Sequence, residues 1–133
     1  MRGLHLTADL RGCAVSRAVM TAPSALREAC LAAVDAAGLT AVGELFHRFA
    51  PAAAASEGAP GQVTGITGIT GVVLLAESHL AVHTWPELEA VTLDVYVCNL
   101  GGRDNTARAE ALFAALVAAF EPAQVERHAL MRG

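Results

Sequence analysis

The sequence contains no lysine; all nine of its basic residues are arginine. That absence excludes two common chemistries. Pyridoxal phosphate enzymes hold their cofactor on a lysine Schiff base, and a Walker A phosphate loop requires a lysine. Any amine–carbonyl chemistry here must find its electrophile elsewhere. Cysteine is scarce. Cys13, Cys30 and Cys98 make an odd count with no C-x-x-C spacing, which argues against a disulfide framework and a zinc site and fits a reducing cytoplasm. An excess of positive charge is also missing. The formal net charge is −4, which disfavours a nucleic-acid footprint and weakly suits a cationic ligand. No long apolar span is present. Residues 58–76 are uncharged but hold Pro60 and five glycines, and residues 111–120 are too few to cross a bilayer. Asp9 and Arg11 break the N-terminal apolar run, which argues against a signal peptide. No membrane partner is therefore expected.

What is there is a foldable chain. It has 133 residues, 54% hydrophobic and 17% charged, enough for one domain and too apolar for disorder. Leu4, Leu6 and Ala8 alternate with His5, Thr7 and Asp9, the pattern of a first strand. Pro23 opens a helix whose apolar face is Leu26, Cys30, Ala33, Val34 and Ala37, and Gly38 ends it. Residues 39–49 read as a second strand. Residues 51–62, rich in Ala, Gly and Pro, read as a loop. Thr64-Gly-Ile, Thr67-Gly-Ile and Thr70-Gly-Val form a short tandem repeat, too brief for a solenoid; glycine in such a strand marks a bend or close backbone approach. Strands follow at 72–77, 80–84 and 91–98. Asp104 is the expected N-cap of a second long helix, Leu112, Phe113, Leu116, Val117 and Phe120 its buried stripe, and Pro122 its stop. Residues 125–131 make a last strand. The order β-α-β-β-β-β-α-β, in roughly two βαβ-like halves, predicts a two-layer α/β sandwich, with a mainly antiparallel sheet and two main helices on one face.

One stretch breaks its own pattern. Glu77 and Ser78 interrupt the apolar run Val72–Leu75 just before Leu80 and Val82 resume a strand alternation, and conflict of this kind is expected at functional sites. Its neighbours are specific. Ala76-Glu-Ser-His-Leu-Ala-Val-His-Thr-Trp-Pro-Glu87, with Thr70-Gly-Val-Val73 before it and Asp94-Val-Tyr-Val-Cys-Asn99 after it, resembles the bacterial and archaeal S-adenosylmethionine decarboxylase proenzymes. Gly3-Leu-His-Leu-Thr-Ala-Asp9 and Phe46-His-Arg-Phe49 resemble two further family segments in the same order. The family connects its second and third strands more tightly, so residues 52–69 look like an insertion.

The resemblance implies a prosthetic group made from the chain itself. The Ser78 hydroxyl attacks the Glu77 carbonyl, the peptide bond becomes an ester, and β-elimination cuts the chain into 1–77 and 78–133. Loss of ammonia leaves a pyruvoyl group at position 78. Its ketone supplies the electron sink that the absent lysine cannot. By the same resemblance Thr70 is the supporting hydroxyl, although Thr64 and Thr67 leave its register open. His83 is the processing base, a role its titration near neutrality suits. Cys98 is the acid that protonates Cα after decarboxylation. His79 and His83 are four apart on a chain that is not helical, so no metal is expected.

For the substrate, matched positions point to Phe49 and Trp85 as aromatic surfaces for a nucleoside base and to Glu87 as an acceptor for ribose hydroxyls. Each also has a plain structural reading: core, strand-end packing and solvated carboxylate. The resemblance implies a cytoplasmic S-adenosylmethionine decarboxylase serving polyamine (spermidine) synthesis, assembled as a homodimer of processed protomers. The same pyruvoyl chemistry on arginine or ornithine is one alternative. An unprocessed, inactive homologue that binds a partner is another.

Overall fold

The computed structural model describes residues 2–50 and 67–133. Its elements are β1 (Gly3–Arg11), α1 (Ala18–Thr21), α2 (Pro23–Ala36), β2 (Ala41–Phe49), β3 (Gly68–Leu75), β4 (His79–Trp85), a 3-10 turn (Pro86–Leu88), β5 (Ala90–Cys98), α3 (Thr106–Phe120) and β6 (Gln124–Arg132). The loop expected at 51–62, the Thr64 repeat unit and most of the 52–69 insertion lie outside the described residues.

The strands form one sheet in the order β2-β3-β4-β5-β1-β6, and all five pairings are antiparallel. The two βαβ-like halves are split. β1 and β2 run the same way with three strands between them, and β5 and β6 have β1 between them. Strand alternation puts Leu6 and Leu10 of β1, Leu80 and Val82 of β4, and Val91 and Val95 of β5 on one fully buried face. There they join one core with Leu26 and Val34 of α2 and Leu112, Leu116 and Phe120 of α3. Burying a large aliphatic side chain in this way contributes about 1.5–3 kcal/mol, which holds the helices to this face. The result is the expected α/β sandwich; among the described residues no helix lies on the opposite sheet face. Among the described residues no helix is long and apolar enough to cross a membrane.

Several boundaries differ from the sequence reading. α2 ends as expected: Gly38 has φ +74°, its N–H donates to the Asp35 carbonyl, and the Leu39 N–H donates to the Val34 carbonyl. That cap takes up Leu39, so β2 starts at Ala41 instead of residue 39. The short helix α1 was not expected. Thr84, fully buried, ties it to the sheet: its hydroxyl donates to the Met20 carbonyl at 2.9 Å and accepts the Ile69 N–H at 2.9 Å.

β3 begins at Gly68, four residues before the expected start, and stops at Leu75, short of Glu77. Its glycines give it room. A Cβ on Gly68 would stand 2.5 Å from the Phe49 ring, so glycine lets that ring lie flat on the strand. Finally, Asp104 does not cap α3. The helix starts at Thr106 behind Asn105, and the Asp104 carboxylate instead accepts the Thr106 N–H at 2.9 Å. The Thr106 side chain first, and this N–H second, hold the Asp104 carboxyl below the ordinary 3.8 of an aspartate.

Candidate active site

The pleat that buries Val91, Val95 and their neighbours sends Thr92, Asp94, Tyr96 and Cys98 to the helix-free face. Register then aligns Thr70 with His83, His83 with Thr92, and His79 with Tyr96. All five sequence segments that carried the resemblance contribute side chains to this face. They gather in two regions.

The first is a corner at the β3–β4 turn. Ala76 and Glu77 are exposed at its tip, and the Leu75 N–H donates to the Ser78 carbonyl at 2.9 Å. The Glu77–Ser78 peptide bond therefore sits in a tight turn. Ser78 turns inward, and its hydroxyl accepts the Cys98 N–H at 2.9 Å. Cys98 is buried, 6% exposed. Its carbonyl accepts the Asn105 side-chain amide at 2.9 Å, and the Asn105 N–H in turn donates to the Asn99 side chain at 2.9 Å. Asn105 holds the N-cap position without capping through its side chain: its side-chain amide N–H donates to Cys98, and its side-chain oxygen accepts the Arg108 guanidinium at 2.9 Å. Neither Asn99 nor Asn105 was singled out from sequence; a second polar residue beside the expected cap was the available signal.

The second region is an aromatic patch toward the far end of β4. His83 Nδ1 shares a hydrogen bond with the Thr70 hydroxyl at 3.0 Å, which fixes Thr70 as the threonine facing His83. The His83 ring lies 6.1 Å from Trp85, and Phe49 meets Trp85 edge-on at 5.3 Å. The Trp85 indole N–H donates to Thr92 at 3.3 Å. Phe49 and Trp85, which sequence left between core and ligand surface, are half-buried on the open face. Glu87 is exposed on the 3-10 turn just beyond.

The structure does not bring Ser78 to His83 within one protomer. Ser78 precedes β4 and His83 lies four residues inside it. At about 3.3 Å per residue the two are at least about 13 Å apart. Between the regions lies an open groove of about 410 Å³ lined by Thr7, Asp9, His79, His83, Thr92 and Asp94. Asp94 is engaged there: His5 donates to it at 2.9 Å and His79 at 3.2 Å. Sequence had left both histidines without a chemical role. Among the described residues no group of three or more His, Cys, Asp or Glu is arranged to hold a metal. Cys13 and Cys30 are buried in the core. Burial raises both thiols, Cys30 to about 12.

A helix-backed antiparallel sheet with a hydroxyl, a thiol, an imidazole and two stacking rings on its open face defines a two-layer α/β sandwich with its site on the sheet. A family model described as S-adenosylmethionine decarboxylase matches residues 4–133. An S-adenosylmethionine decarboxylase proenzyme of Archaeoglobus fulgidus is 32% identical over 131 residues, 98% of this chain and 97% of that protein. One of Picrophilus torridus is 34% identical over 98% of this chain and 84% of its own length. The crystal structure of the adenosylmethionine decarboxylase from Aquifex aeolicus superposes with a TM-score of 0.78 at 30% identity, covering 98% of this chain and 90% of that one. The chain belongs to the S-adenosylmethionine decarboxylase family.

Proposed function

We propose that this protein is a self-processing, pyruvoyl-dependent decarboxylase acting on S-adenosylmethionine. The observation that carries the proposal is the inward Ser78 hydroxyl, held against Cys98 inside the turn that contains the Glu77–Ser78 bond. Serine supplies both the nucleophile for the ester and the carbons of the ketone. The donor set fits: the group forms in place from Ser78, beside a thiol, with no lysine or metal required. A pyruvoyl group at position 78 would supply a ketone for the substrate amine and an electron sink for decarboxylation.

The chain's own residues do the rest. Cleavage between Glu77 and Ser78 yields 1–77 and 78–133, which stay together as neighbouring strands β3 and β4. In the tautomer that donates Nδ1–H to Thr70, His83 keeps a lone pair on Nε2 that can remove the Ser78 α-proton. Cys98 Sγ delivers a proton to the substrate Cα. Phe49 and Trp85 offer faces for the adenine, and Glu87 an acceptor for the ribose hydroxyls. Two imidazoles already occupy Asp94, which weighs against its use for the distal cation of arginine or ornithine.

The separation of Ser78 and His83 bears on assembly. A base must come within hydrogen-bond reach of its proton, and one protomer cannot provide that across about 13 Å. A homodimer packed through the open faces brings His83 of one copy toward Ser78 of the other. Leu45 and Leu74, 68% and 50% exposed on that face, are apolar surface for such a contact. A cytoplasmic location and a place in polyamine synthesis belong to the same proposal.

The test is intact mass after expression, followed by carbon dioxide release from S-adenosylmethionine, arginine and ornithine on processed protein. Two chains and release from S-adenosylmethionine alone are expected. Release from arginine or ornithine instead would overturn the substrate, and a single chain lacking a carbonyl would overturn the mechanism.

A further inference from the structure

Tyr96 has no role in the chemistry above, yet its ring is held from four sides. It shares the open face of β5 with Cys98, two residues on. Its ring leans over Gly3, the register partner of Cys98. A Cβ on Gly3 would stand 2.9 Å from the ring, 2.9 Å from the Cys98 Cα and 2.6 Å from the Val97 carbonyl. Only glycine leaves that space. From above, the Arg132 guanidinium carbon lies 5.1 Å from the ring centre. His5 meets the ring at 5.8 Å and His79 at 6.0 Å, both anchored by Asp94. The ring so fixed lies against Cys98, since both border the space that Gly3 leaves open. Burial first, and the neighbouring Cys98 side chain second, hold the phenol above its ordinary range. A phenol O–H in this place can donate to the Cys98 sulfur.

We propose that Tyr96 is the positioning residue of the proton donor: its phenol O–H aims the Cys98 thiol and receives the sulfur when the proton has left. The inference rests on the decarboxylase reading. The proton step balances simply. The Sγ–H bond of Cys98 breaks as a C–H bond forms at the substrate Cα with the electron pair left by carbon dioxide. The sulfur becomes a thiolate that accepts the Tyr96 O–H. A misaimed thiol would instead protonate the carbon of the prosthetic group; water would then release the decarboxylated substrate as an aldehyde, and its nitrogen would stay behind on an N-terminal alanine, ending turnover.

Tyr96→Phe keeps the ring and its packing and removes only the hydroxyl. Processed protein is compared with wild type in three measurements. The turnover number is expected to fall about tenfold, the scale of one lost hydrogen bond to a charged group, with KM little changed. The fraction of small chains ending in alanine per turnover, read by mass spectrometry, should rise severalfold. Alkylation of Cys98 by iodoacetamide at neutral pH, read on its own peptide, should slow severalfold because the thiolate has lost its donor. An unchanged alanine fraction would overturn the aiming role even if turnover dropped, since a merely structural defect lowers turnover alone. Unchanged alkylation would overturn the thiol contact. The alkylation comparison needs no turnover, so failure of wild type to decarboxylate S-adenosylmethionine would sink the decarboxylase reading separately.

Discussion

The Ser78–Cys98 corner and the His83–Trp85 patch lie on the same sheet face but are built differently. The corner is closed and hydrogen-bonded. Ser78, Cys98, Asn105 and Asn99 form a continuous chain of 2.9 Å contacts that reaches α3, and Cys98 is nearly solvent-free. The patch is open. His83, Trp85 and Phe49 are half-buried rings joined edge to face, with one hydrogen bond to Thr70 behind them. On the proposed function, the groups whose bonds change within the chain are locked by their own neighbours, and the groups that would meet a substrate or a partner are left presenting surface. On that proposal the corner is a finished half of a site, and the patch is a half that still needs an opposite face.

The sharpest way to break this comparison is to separate the halves onto different chains. Ser78→Ala and His83→Ala should each remain uncut when expressed alone, the second stalling at the ester, where hydroxylamine would split it. Co-expressed, the His83→Ala chains should be cleaved in mixed dimers, because the partner carries an intact His83. The effect is all or none and is read by intact mass. If no His83→Ala chain is cut in the mixture, each site works within one protomer and the sheet must deform to bring Ser78 to His83.

The next effect divides maturation from turnover. Cys98→Ala removes the thiol but leaves its N–H, which is what holds the Ser78 hydroxyl. Self-cleavage should persist, while turnover falls at least about a hundredfold, the scale of a lost general acid. Wild-type turnover in this variant would remove Cys98 from the mechanism and leave the corner with a role in maturation alone.

A smaller effect belongs to the patch. Stacking a base on an aromatic side chain is worth about 1–3 kcal/mol by alanine substitution. Phe49→Ala or Trp85→Ala, whichever removes the stacking face, should therefore lower kcat/KM for S-adenosylmethionine about ten- to a hundredfold. Cleavage should survive in both variants. Equal losses for S-adenosylmethionine and for a substrate without a base would mean that the ring only packs.

The two regions also differed in how far the sequence exposed them. The patch was nearly complete there. His83 lies on a strand with clean alternation, and the aromatic and imidazole side chains are conspicuous; Trp85 fell just past that strand's expected end, and Thr70 before the expected start of β3 with its register open. The corner was legible only in part. Ser78 stood out because it broke an apolar run, and Cys98 shared a polar strand face. Their contact depends on pairing β5 with β4 and on where α3 begins, and neither is written in any local pattern. Asp104 and Asn105 are adjacent polar residues of similar capping strength, so composition could not show that Asn105 is drawn away to the Cys98 carbonyl. The glycines of β3 read as punctuation because glycine weakens strands. In the sheet, Gly68 instead makes room for Phe49, a partner fixed only by tertiary register. Separation of Ser78 from His83 was masked by their closeness in sequence, since five residues of extended chain cover more distance than side chains can bridge.

The smallest expected effect tests whether the start of α3 secures the corner. The Asp104 carboxylate accepts the Thr106 N–H, and the Thr106 side chain first, with this N–H second, lowers its folded pKa below 3.8. A depressed carboxylate contributes stability that is fully present above its unfolded value and is lost as pH falls through the folded one. Protection of the Thr106 amide against hydrogen exchange should therefore be constant from neutral pH down to about 4 and weaken below that. Because Asn105 follows directly and holds the Cys98 carbonyl, its side-chain amide should loosen over the same range. The patch has no carboxylate in its hydrogen-bond set, so the Trp85 indole N–H should keep its protection while these bonds fail. Asp104→Asn retains an acceptor oxygen but cannot titrate, and it should abolish the acid dependence at Thr106 with little change at neutral pH. Asp104 is fully exposed to solvent, which keeps the effect local and small. Parallel loss of protection at Thr106 and Trp85 would mean that acid opens the whole sheet together, and that the corner has no hold on α3 of its own.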